Sequence, residues 1–320
     1  MIKNFYTYLK KKINKYFDNI TLTTINSLPF KKGVTLVDIG AAGEIEPRWK
    51  PFSSKLNYIA FEPDERSRSK IFNNKKKFLD YKILPYALSQ ADEQILINYC
   101  EDPQKSSKYE PNYFFLKNFP NNDRFNIIKK VAFPSTTLDS LEIKDIDFIK
   151  IDIQGSELDV IKGAKKTLKS TFGLEIEVEF LNVYKKQPLF GEICLELKNN
   201  GFEFIDFVNL SRWERHNYNY FGQCVFGDAF FIKTPESLDL ENLNSNNVCS
   251  YLFILLIYNR FDIIESLLNK LSIEKRHDFK DFERHLKKAK SRNNKIRLIF
   301  KIMDKIFSLT GTNNRLHLLS

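Results

Sequence analysis

The feature that most constrains the fold is an apolar stretch that runs into two closely spaced glycines. Residues 34–44 read VTLVDIGAAGE, so a strand-like segment is followed at once by Gly40 and Gly43. Glycine lets the backbone turn tightly and has no Cβ to keep a ligand away. Open α/β sheets bind ligands beyond the carboxyl ends of their strands. The stretch therefore predicts a first strand with a ligand site at its end.

Strand and helix patterns alternate from residue 33 to Pro235, which is typical of a mostly parallel sheet with helices on both faces. Residues 101–129 have no period and are interpreted as a long loop. Ser156 is expected to cap the helix that follows it. The expected strands are 34–40, 56–62, 82–88, 93–100, 145–155, 172–180, 202–208 and 228–233, and helices are expected at 64–76, 156–168 and 189–202.

The net charge of +10 lies at the two ends of the chain. Residues 1–32 carry seven lysines against one acid, and residues 241–320 carry fifteen lysines and arginines against eight acids. Both ends show helical periodicity, which predicts a basic amphipathic N-terminal helical segment at 1–32, a core domain at 33–238 and a basic α-helical region at 239–320. Within the last region, helices are expected near 248–258, 261–271, 276–290 and 294–307. The remaining core is slightly acidic, which argues against a nucleic-acid partner.

The sequence offers no pattern for a membrane span, a leader or a metal site. The longest apolar run, 248–258, is shorter than the ~20 residues that a bilayer requires. The four cysteines lie far apart without a CxxC pair, so no zinc site or disulfide framework is expected. We expect a cytoplasmic protein. Two partners stay open for the basic ends, an anionic membrane surface and a second copy of the chain, beside the simpler alternative of a solvated basic face.

A carboxylate follows the second expected strand. Glu62, in FEPDERS, stands 24 residues after Asp38 and could accept hydrogen bonds from both hydroxyls of a ribose. An acid at a strand end is otherwise usually just solvated. The chain has neither GxGxxG nor GxxxxGK[ST], which weakens the dinucleotide and nucleoside-triphosphate alternatives. The glycine turn and the spaced acid together are more specific than either alone.

Several motifs in order resemble the FkbM family of S-adenosylmethionine-dependent methyltransferases over about residues 33–235. They are VDIGAAGE, FEPD, YALS, TTLDSL, DFIKIDIQGSELDVIKGA, VEFLNVYKKQPLFGEI and LKNNGFEFIDF. The most specific is KIDIQGSELDVIKGA, 150–164, which the family usually writes KIDVEGxExxVLxGA. The resemblance implies an α/β fold, the class I methyltransferase Rossmann-like seven-stranded sheet with a reversed final strand, here with a C-terminal helical appendage.

The resemblance also implies S-adenosylmethionine as cofactor and a set of binding residues. These are Asp38 at the amino group of the cofactor, Gly40, Ala41 and Gly43 at its methionine end, Glu62 at the ribose, Pro63, Asp64, Ala87 and Leu88 around the adenine, and Asp152 beside the transferring methyl. Two positions depart from the family pattern. Gln154 replaces the commoner Glu, and Ser156 stands where the family often has His.

A hydroxyl acceptor needs a base, and three residues are candidates for catalysis: Asp152, Glu157 and His216. Asp152 is preferred because it lies toward the carboxyl end of the strand expected over 145–155. Glu157 falls in the first turn of a helix, where stabilising the helix dipole is an equal alternative. His216 lies in SRWERHNYNYFGQ, and a lone histidine is more often structural or solvated.

Other residues could meet the acceptor. Glu177 and Glu179 alternate with apolar residues and share one face of the strand expected over 172–180. Glu179, nearer the strand end, is expected to reach the site. The remaining candidates are Trp213, Tyr218 and Tyr220 for stacking on a sugar, Arg212 and Arg215 for acidic groups, and Tyr184 and Gln187 in an acceptor-side loop. Packing over the sheet edge is the alternative for the aromatic residues.

The expected function is an S-adenosylmethionine-dependent O-methyltransferase that acts on a hydroxyl of a sugar, a glycan or a secondary metabolite. Two alternatives remain: an N-methyltransferase or another small-molecule methyltransferase, and a non-catalytic cofactor-binding module that acts through its helical ends.

Overall fold

The computed structural model describes residues 20–43, 45–69, 77–216, 222–291 and 294. The chain divides into two compact units. The larger comprises Gly33–Glu46 and Ser53–Ser237, and the smaller comprises Met1–Lys32, Pro47–Phe52 and Leu238–Leu319. Only their described residues are considered below. The expected division at 32/33 and 238/239 did not foresee that Pro47–Phe52 belongs to the smaller unit, and the three-part division stays a prediction.

The larger unit holds two sheets. In chain order, the strands among the described residues are β1 (Val34–Ile39), β2 (Leu56–Phe61), β3 (Asp80–Leu84), β4 (Ala87–Leu88), β5 (Glu93–Cys100), β6 (Ile127–Thr136), β7 (Phe148–Ile151), β8 (Gly173–Glu179), β9 (Glu203–Trp213) and β10 (Gln223–Ile232).

Most of the described helices, in both units, are short. The α-helices with fully described bounds are α1 (Glu65–Arg68), α2 (Tyr113–Leu116), α3 (Glu157–Lys162), α4 (Thr167–Ser170), α5 (Phe190–Asn199), α6 (Ser245–Ile257), α7 (Phe261–Lys270) and α8 (Ile273–His277). Single 3-10 turns lie at Lys50–Lys55, Pro103–Lys105, Asn122–Phe125 and Asp139–Leu141. The helix expected over 156–168 is thus two helices, α3 and α4.

The main sheet has seven strands in the order β3-β2-β1-β7-β8-β10-β9. The five strands from β3 to β8 are parallel, and β10 is antiparallel to both β8 and β9. This order and the reversed β10 confirm the predicted class I Rossmann-like sheet. A second, smaller sheet has three strands in the order β4-β6-β5, and along the chain all three fall between β3 and β7.

Two predictions about strands were wrong. The single strand expected over 82–88 is divided, because β3 ends at Leu84 and β4 pairs with β6 in the smaller sheet. Pro85, which has no N–H for a ladder, stands at the break. The expected loop over 101–129 contains turns and α2, and it runs into β6, which was not predicted. Five of the ten residues of β6 are exposed and only Ser135 is buried, so IIKKVAFPST gives little apolar signal for a buried strand.

One face of the main sheet carries the hydrophobic core of the larger unit. On β8, Leu174, Ile176 and Val178 all belong to one buried cluster with residues of β1, β2 and β7 and of helices α3 and α5. Each fully buried aliphatic side chain of this kind contributes about 1.5–3 kcal/mol. The alternate residues of β8 are glutamates, so the strand presents its acids to the other face of the sheet.

The smaller unit is helical in its described part. Asn244 caps α6 by accepting the N–H of Asn247 at 2.9 Å, and every residue of 248–257 is buried. The ring of Phe253 contacts Phe30 and Phe52, with centroids 5.9 and 6.0 Å away. None of the described helices is long and apolar enough to cross a membrane. The expected helices near 248–258, 261–271 and 276–290 correspond to α6, to α7, and to α8 with a helical stretch at 280–291. The expected helix at 294–307, apart from residue 294, and residues 1–19 lie outside the described residues.

Candidate functional site

Strand register brings residues of four neighbouring strands to one level near the carboxyl edge of the main sheet. Ile39, the last residue of β1, lies opposite Phe61 of β2 and Ile151 of β7. Ile151 in turn lies opposite Ile176 of β8. The next residue along each of these four strands therefore stands in one row: Gly40, Glu62, Asp152 and Glu177.

A cavity of about 240 Å³ opens at this edge, and all four residues of the row line it. The smaller sheet contributes an apolar wall, with Ile95, Ile97 and Tyr99 of β5 among the lining residues. The segment 103–108, which follows β5, also lines the cavity. The cavity is therefore bounded by two sheets, and its second wall was not predicted because β6 was not.

Gly40 is required by the protein's own backbone. It has φ +84°, and a Cβ there would lie 1.9 Å from the carbonyl oxygen of Asp152. Its lack of a side chain lets the ends of β1 and β7 approach, beside the N–H of Asp152 that donates to Ile39 at 2.9 Å. Gly43 has φ +136° with nothing within 4 Å of a Cβ, and it does not line the cavity. Its glycine serves the turn.

Glu62 presents a buried carboxylate to the cavity. Its side chain accepts the N–H of Asp64 on Oε1 at 2.8 Å. Burial raises its pKa to about 7, against the lowering effect of that hydrogen bond. Among the described residues, no hydrogen bond is made to Oε2. Oε2 of this fixed carboxylate can accept hydrogen bonds from the hydroxyl groups of a ligand.

The expected adenine neighbours divide into two kinds. Ala87 and Leu88 of β4 are buried, line the cavity and extend its apolar wall. Pro63 and Asp64 also line it, but the Asp64 carboxylate is engaged by the protein. It caps α1 through the N–H of Arg66 at 2.9 Å and binds the Arg66 guanidinium, which lies 4.1 Å from the centre of the Tyr99 ring.

The structure does not bring Asp38, Ala41 or Gly43 to the cavity. Asp38 is buried, with Oδ2 accepting the Tyr58 hydroxyl at 2.6 Å and Oδ1 4.0 Å from the Lys150 ammonium. Burial raises its pKa, and Lys150 opposes that shift. Asp38 thus holds β1 to its neighbours, and any contact with an amino group of the cofactor would need an intervening group.

Asp152, Gln154 and Glu177 form a bonded cluster at the cavity. Gln154, with φ +59°, donates from Nε2 to Oδ1 of Asp152 at 3.0 Å and to Oε1 of Glu177 at 2.7 Å. The Tyr184 hydroxyl lies 3.0 Å from both Oε1 of Gln154 and the carbonyl oxygen of Lys105, and shares its hydrogen between them. The expected acceptor-side residue Tyr184 thus supports the cluster from outside the lining. Gln187 accepts the N–H of Tyr184.

The expectation that Glu179 reaches the site was wrong, because Glu177 stands at the level of the row and Glu179 lies beyond it. Glu179 is buried and does not line the cavity. Alternation identifies the face of a strand, but only the pairing of β8 with β7 fixes which residue is level with Asp152.

Glu157 closes a loop and does not line the cavity. Its buried carboxylate accepts the N–H groups of Ile153 and Gly155 at 3.0 and 3.1 Å. Burial raises its pKa to about 7, and those hydrogen bonds oppose the shift. The predicted cap by Ser156 was wrong, because its side chain makes no cap bond and Glu157 takes the N–H groups of the loop.

The aromatic candidates near the last strands pack against the protein. Trp213 belongs to a hydrophobic cluster in which its ring contacts Phe119 and Phe125, at 5.4 and 6.0 Å between centroids. Arg212 and Arg215 are exposed, and Arg215 lies 5.3 Å over the Phe119 ring.

His216 is also exposed and is not a lining residue, so the structure does not place it with Asp152. Tyr218 and Tyr220 lie outside the described residues. Within the described ranges, no group of three or more His, Cys, Asp or Glu is arranged to hold a metal ion.

The sequence missed Tyr99, Lys105 and Phe226 as lining residues. Tyr99 lies in the strand that was expected over 93–100, and Lys105 lies in the loop that was expected over 101–129. Neither position carries a periodic signal that points to a site. Phe226 belongs to the same hydrophobic cluster as Trp213 and reaches the cavity from β10.

Comparison with known proteins gives a family match. The profile of the methyltransferase FkbM domain matches residues 38–204. A search of curated proteins gives no significant match.

Solved structures give matches of low identity. The methyltransferase FkbM from Methylobacillus flagellatus KT is 14% identical with a TM-score of 0.35, over 62% of this chain and 43% of that one. The precorrin-6y C5,15-methyltransferase from Geobacter metallireducens GS-15 is 15% identical with a TM-score of 0.33, over 67% and 89%. The M. capricolum TrmK in complex with S-adenosyl-homocysteine is 10% identical with a TM-score of 0.31, over 83% and 96%. This chain thus spans less than half of the M. flagellatus protein.

Proposed function

The chain belongs to the FkbM family of S-adenosylmethionine-dependent methyltransferases, and we propose that it methylates a hydroxyl oxygen of a sugar, a glycan or a secondary metabolite. One observation carries the proposal. Three carboxylates of the row at the carboxyl edge of the sheet, those of Glu62, Asp152 and Glu177, line one cavity.

The residues present fit the methyl donor. Oε2 of Glu62 is available to the ribose hydroxyls, and the apolar wall of Leu88, Ile95 and Ile97 suits an adenine ring. Gly40 lines the cavity at the strand end where the methionine part is expected. When bound, the donor supplies a methyl group that is already activated by its positively charged sulfur.

This chain's own residues have three tasks. The two sheets enclose the cavity and exclude water from the reacting atoms. Holding donor and acceptor in line can supply several kcal/mol of the barrier. Asp152 stands at the strand end beside the expected methyl position, and its bond to Gln154 fixes the direction of its carboxylate.

A hydroxyl acceptor is supported by the polar groups on that side of the cavity. Carboxylates accept hydrogen bonds from hydroxyl groups, and a hydroxyl nucleophile must lose its proton during transfer. Asp152 and Glu177 provide such acceptors. An amine would also bind carboxylates, so the N-methyltransferase alternative must be separated by experiment.

The test is transfer of labelled methyl from S-adenosylmethionine to a panel of sugars, nucleotide sugars, polyols and amines. The proposal expects label in base-stable ethers of hydroxylated acceptors, identified by mass spectrometry. Label only in N-methyl products would favour the alternative enzyme. Binding of S-adenosylhomocysteine without transfer to any panel member would favour the non-catalytic module.

For the ends of the chain we propose a basic surface directed outward, on a cytoplasmic protein. In the stretch 280–291, Phe282 and Leu286 are buried, whereas Arg284, Lys287 and Lys288 are exposed. Such charges attract anionic lipid over a distance that salt shortens. Sedimentation with anionic vesicles at low salt, lost at high salt and absent with neutral vesicles, is the expected result. A protein that stays in the supernatant at low salt contradicts membrane contact.

A further inference from the structure

Two carboxylates at the cavity share one amide group. Asp152 and Glu177 both accept from Nε2 of Gln154, which makes them near neighbours on the wall of the same cavity. Neighbouring carboxylates in a partly buried site oppose each other's ionisation, so the pair tends to hold one proton.

The surroundings decide which carboxylate holds that proton. Asp152 has a cation at hand, since its Oδ2 lies 3.6 Å from the ammonium of Lys150, whose side chain is 12% exposed. Among the described residues, no cation lies within 4.0 Å of the Glu177 carboxylate. The nearer cation therefore lies on the Asp152 side of the pair.

The charges that face Glu177 are mostly negative. Burial and then the charge of Asp152 raise the pKa of Glu177 well above its usual value. The cation that opposes the shift is Lys105, which lies 5.9 Å over the Phe226 ring and also lines the cavity. The other acids that act on Glu177 are Glu157 from the loop at α3 and Asp228, its direct partner on β10. Glu179 lies two residues further along β8.

We propose that binding of the positively charged methyl donor releases a proton from Glu177, which then serves as the base for the acceptor hydroxyl. The inference rests on the proposed function and adds a role for the donor's charge. A positive sulfur in the same cavity favours the ionised carboxylate. The demethylated product has a neutral sulfur and does not stabilise the ionised carboxylate. Glu177 is therefore made basic only when a methyl group is present to transfer.

The chemical step balances with these groups. The acceptor oxygen bonds to the methyl carbon, the carbon–sulfur bond breaks with its electron pair on sulfur, and the hydroxyl proton passes to Oε2 of Glu177. Positive sulfur and ionised Glu177 become neutral sulfur and protonated Glu177, so the summed charge of the pair is unchanged. Product release leaves the protonated Glu177 of the free enzyme ready for the next donor.

Gln154 is the positioning residue for this exchange. Its Oε1 faces the hydroxyl of Tyr184, which leaves both hydrogens of Nε2 for the two carboxylates. A carboxylate at this position would place a third negative charge against the pair, whereas the amide joins them without one.

The test is calorimetric titration of the full chain with three probes: S-adenosylmethionine, its cationic unreactive analogue sinefungin, and S-adenosylhomocysteine. Each is titrated near neutral pH in phosphate and in Tris, whose ionisation enthalpies differ, to count the protons released. We expect the two cationic probes to release more protons than S-adenosylhomocysteine, with the difference approaching about one per site. Glu177→Gln should bind all three without that difference. Glu179→Gln, a matched change on the same face of β8, should keep it.

Equal proton release by all three probes in the wild type overturns the inference, and so does a difference that survives in Glu177→Gln. If that variant does not fold, the wild type still decides. Its affinity for S-adenosylmethionine relative to S-adenosylhomocysteine should rise with pH between about 6 and 8, because proton release favours the cationic ligand at higher pH. A ratio that does not change with pH overturns the inference. Failure of all three probes to bind contradicts the proposed function itself.

Discussion

The half of the cavity at β2 and the half at β7 and β8 hold their carboxylates in different ways. At β2, Glu62 and Asp64 are each fixed by an N–H group only two residues further along the chain. At β7 and β8, the Gln154 amide reaches Glu177, 23 residues on, and receives the hydroxyl of Tyr184, 30 residues on.

The difference teaches what each half can be used for. The β2 half is complete within one strand end and one turn, so it can be kept unchanged for a ligand that does not vary, such as the methyl donor. The β7–β8 half depends on strand register and on side chains from distant segments. A single change there alters the charge and position of a carboxylate, which suits the acceptor and its proton.

The largest effect is expected on the rate of turnover, when the glutamate of the β7–β8 half is replaced. Glu177→Gln should lower the rate of S-adenosylhomocysteine formation by about 10²–10⁴-fold, the usual contribution of a general base, with the affinity for S-adenosylhomocysteine itself little changed. The rate is measured with the acceptor that the labelling experiment identifies, and Glu179→Gln is the control. Turnover that survives in Glu177→Gln would remove the base from the β7–β8 half.

The junction between the halves is expected to fail next. Gly40→Ala would put a Cβ against the backbone of Asp152 at φ +84°, and should lower the free energy of unfolding by about 2–4 kcal/mol in urea titrations. Gly43→Ala is the control, because its Cβ meets nothing within 4 Å. It should cost only the strain of its backbone, about 1–2 kcal/mol. Equal losses in the two variants would mean that Gly40 does not set the approach of β1 to β7.

The β2 half is tested by donor affinity. Glu62→Ala removes a charge-assisted contact and should weaken binding of S-adenosylhomocysteine by about 1.5–3 kcal/mol. Glu65→Ala, three residues away and exposed, is the matched control in α1 and should bind as the wild type does. Calorimetry is the measurement. An unchanged affinity in Glu62→Ala would show that the ribose lies elsewhere.

The same division explains which features the sequence could predict. The residues around Glu62 form one short motif, and the structure places Glu62, Pro63, Asp64, Ala87 and Leu88 on the wall of the cavity, whereas their contacts with a cofactor stay predictions. The parallel strands β1, β2, β7 and β8 were also predicted, because each has a continuous or alternating apolar pattern. The seven-stranded sheet with a reversed final strand followed from the family resemblance and is confirmed.

The rest depended on distances along the chain that no local pattern records. Choosing Glu179 over Glu177 was an error of register, since both share a face of β8. Interpreting Glu157 as a candidate base overlooked the loop N–H groups that occupy its carboxylate. β6 was not predicted because only one of its ten residues, Ser135, is buried.

The smallest expected effect is on the pH dependence of stability, which tests the buried glutamate of each half. Burial raises the pKa of Glu62 from 4.5 to about 7, so the stability that it allows is full below 4.5 and is lost as the pH rises through 7. The stability of Glu62→Gln relative to the wild type should therefore rise between these values and then level off.

Burial and the charge of Asp152 also raise the pKa of Glu177 well above its usual value, so the stability of Glu177→Gln relative to the wild type should likewise rise as the pH increases above about 4.5. Urea unfolding at a series of pH values gives both curves. A relative stability that does not change with pH in either variant would contradict the burial assigned to that carboxylate.

The most direct test of the account is an experimental structure of the chain with S-adenosylhomocysteine bound. The account predicts the ribose hydroxyls within hydrogen-bond distance of the Glu62 carboxylate, the adenine against Leu88 and the wall of β5, and the sulfur directed toward Asp152 and Glu177. A ligand bound in the reverse direction, with its ribose at Asp152, or bound outside this cavity, would contradict it.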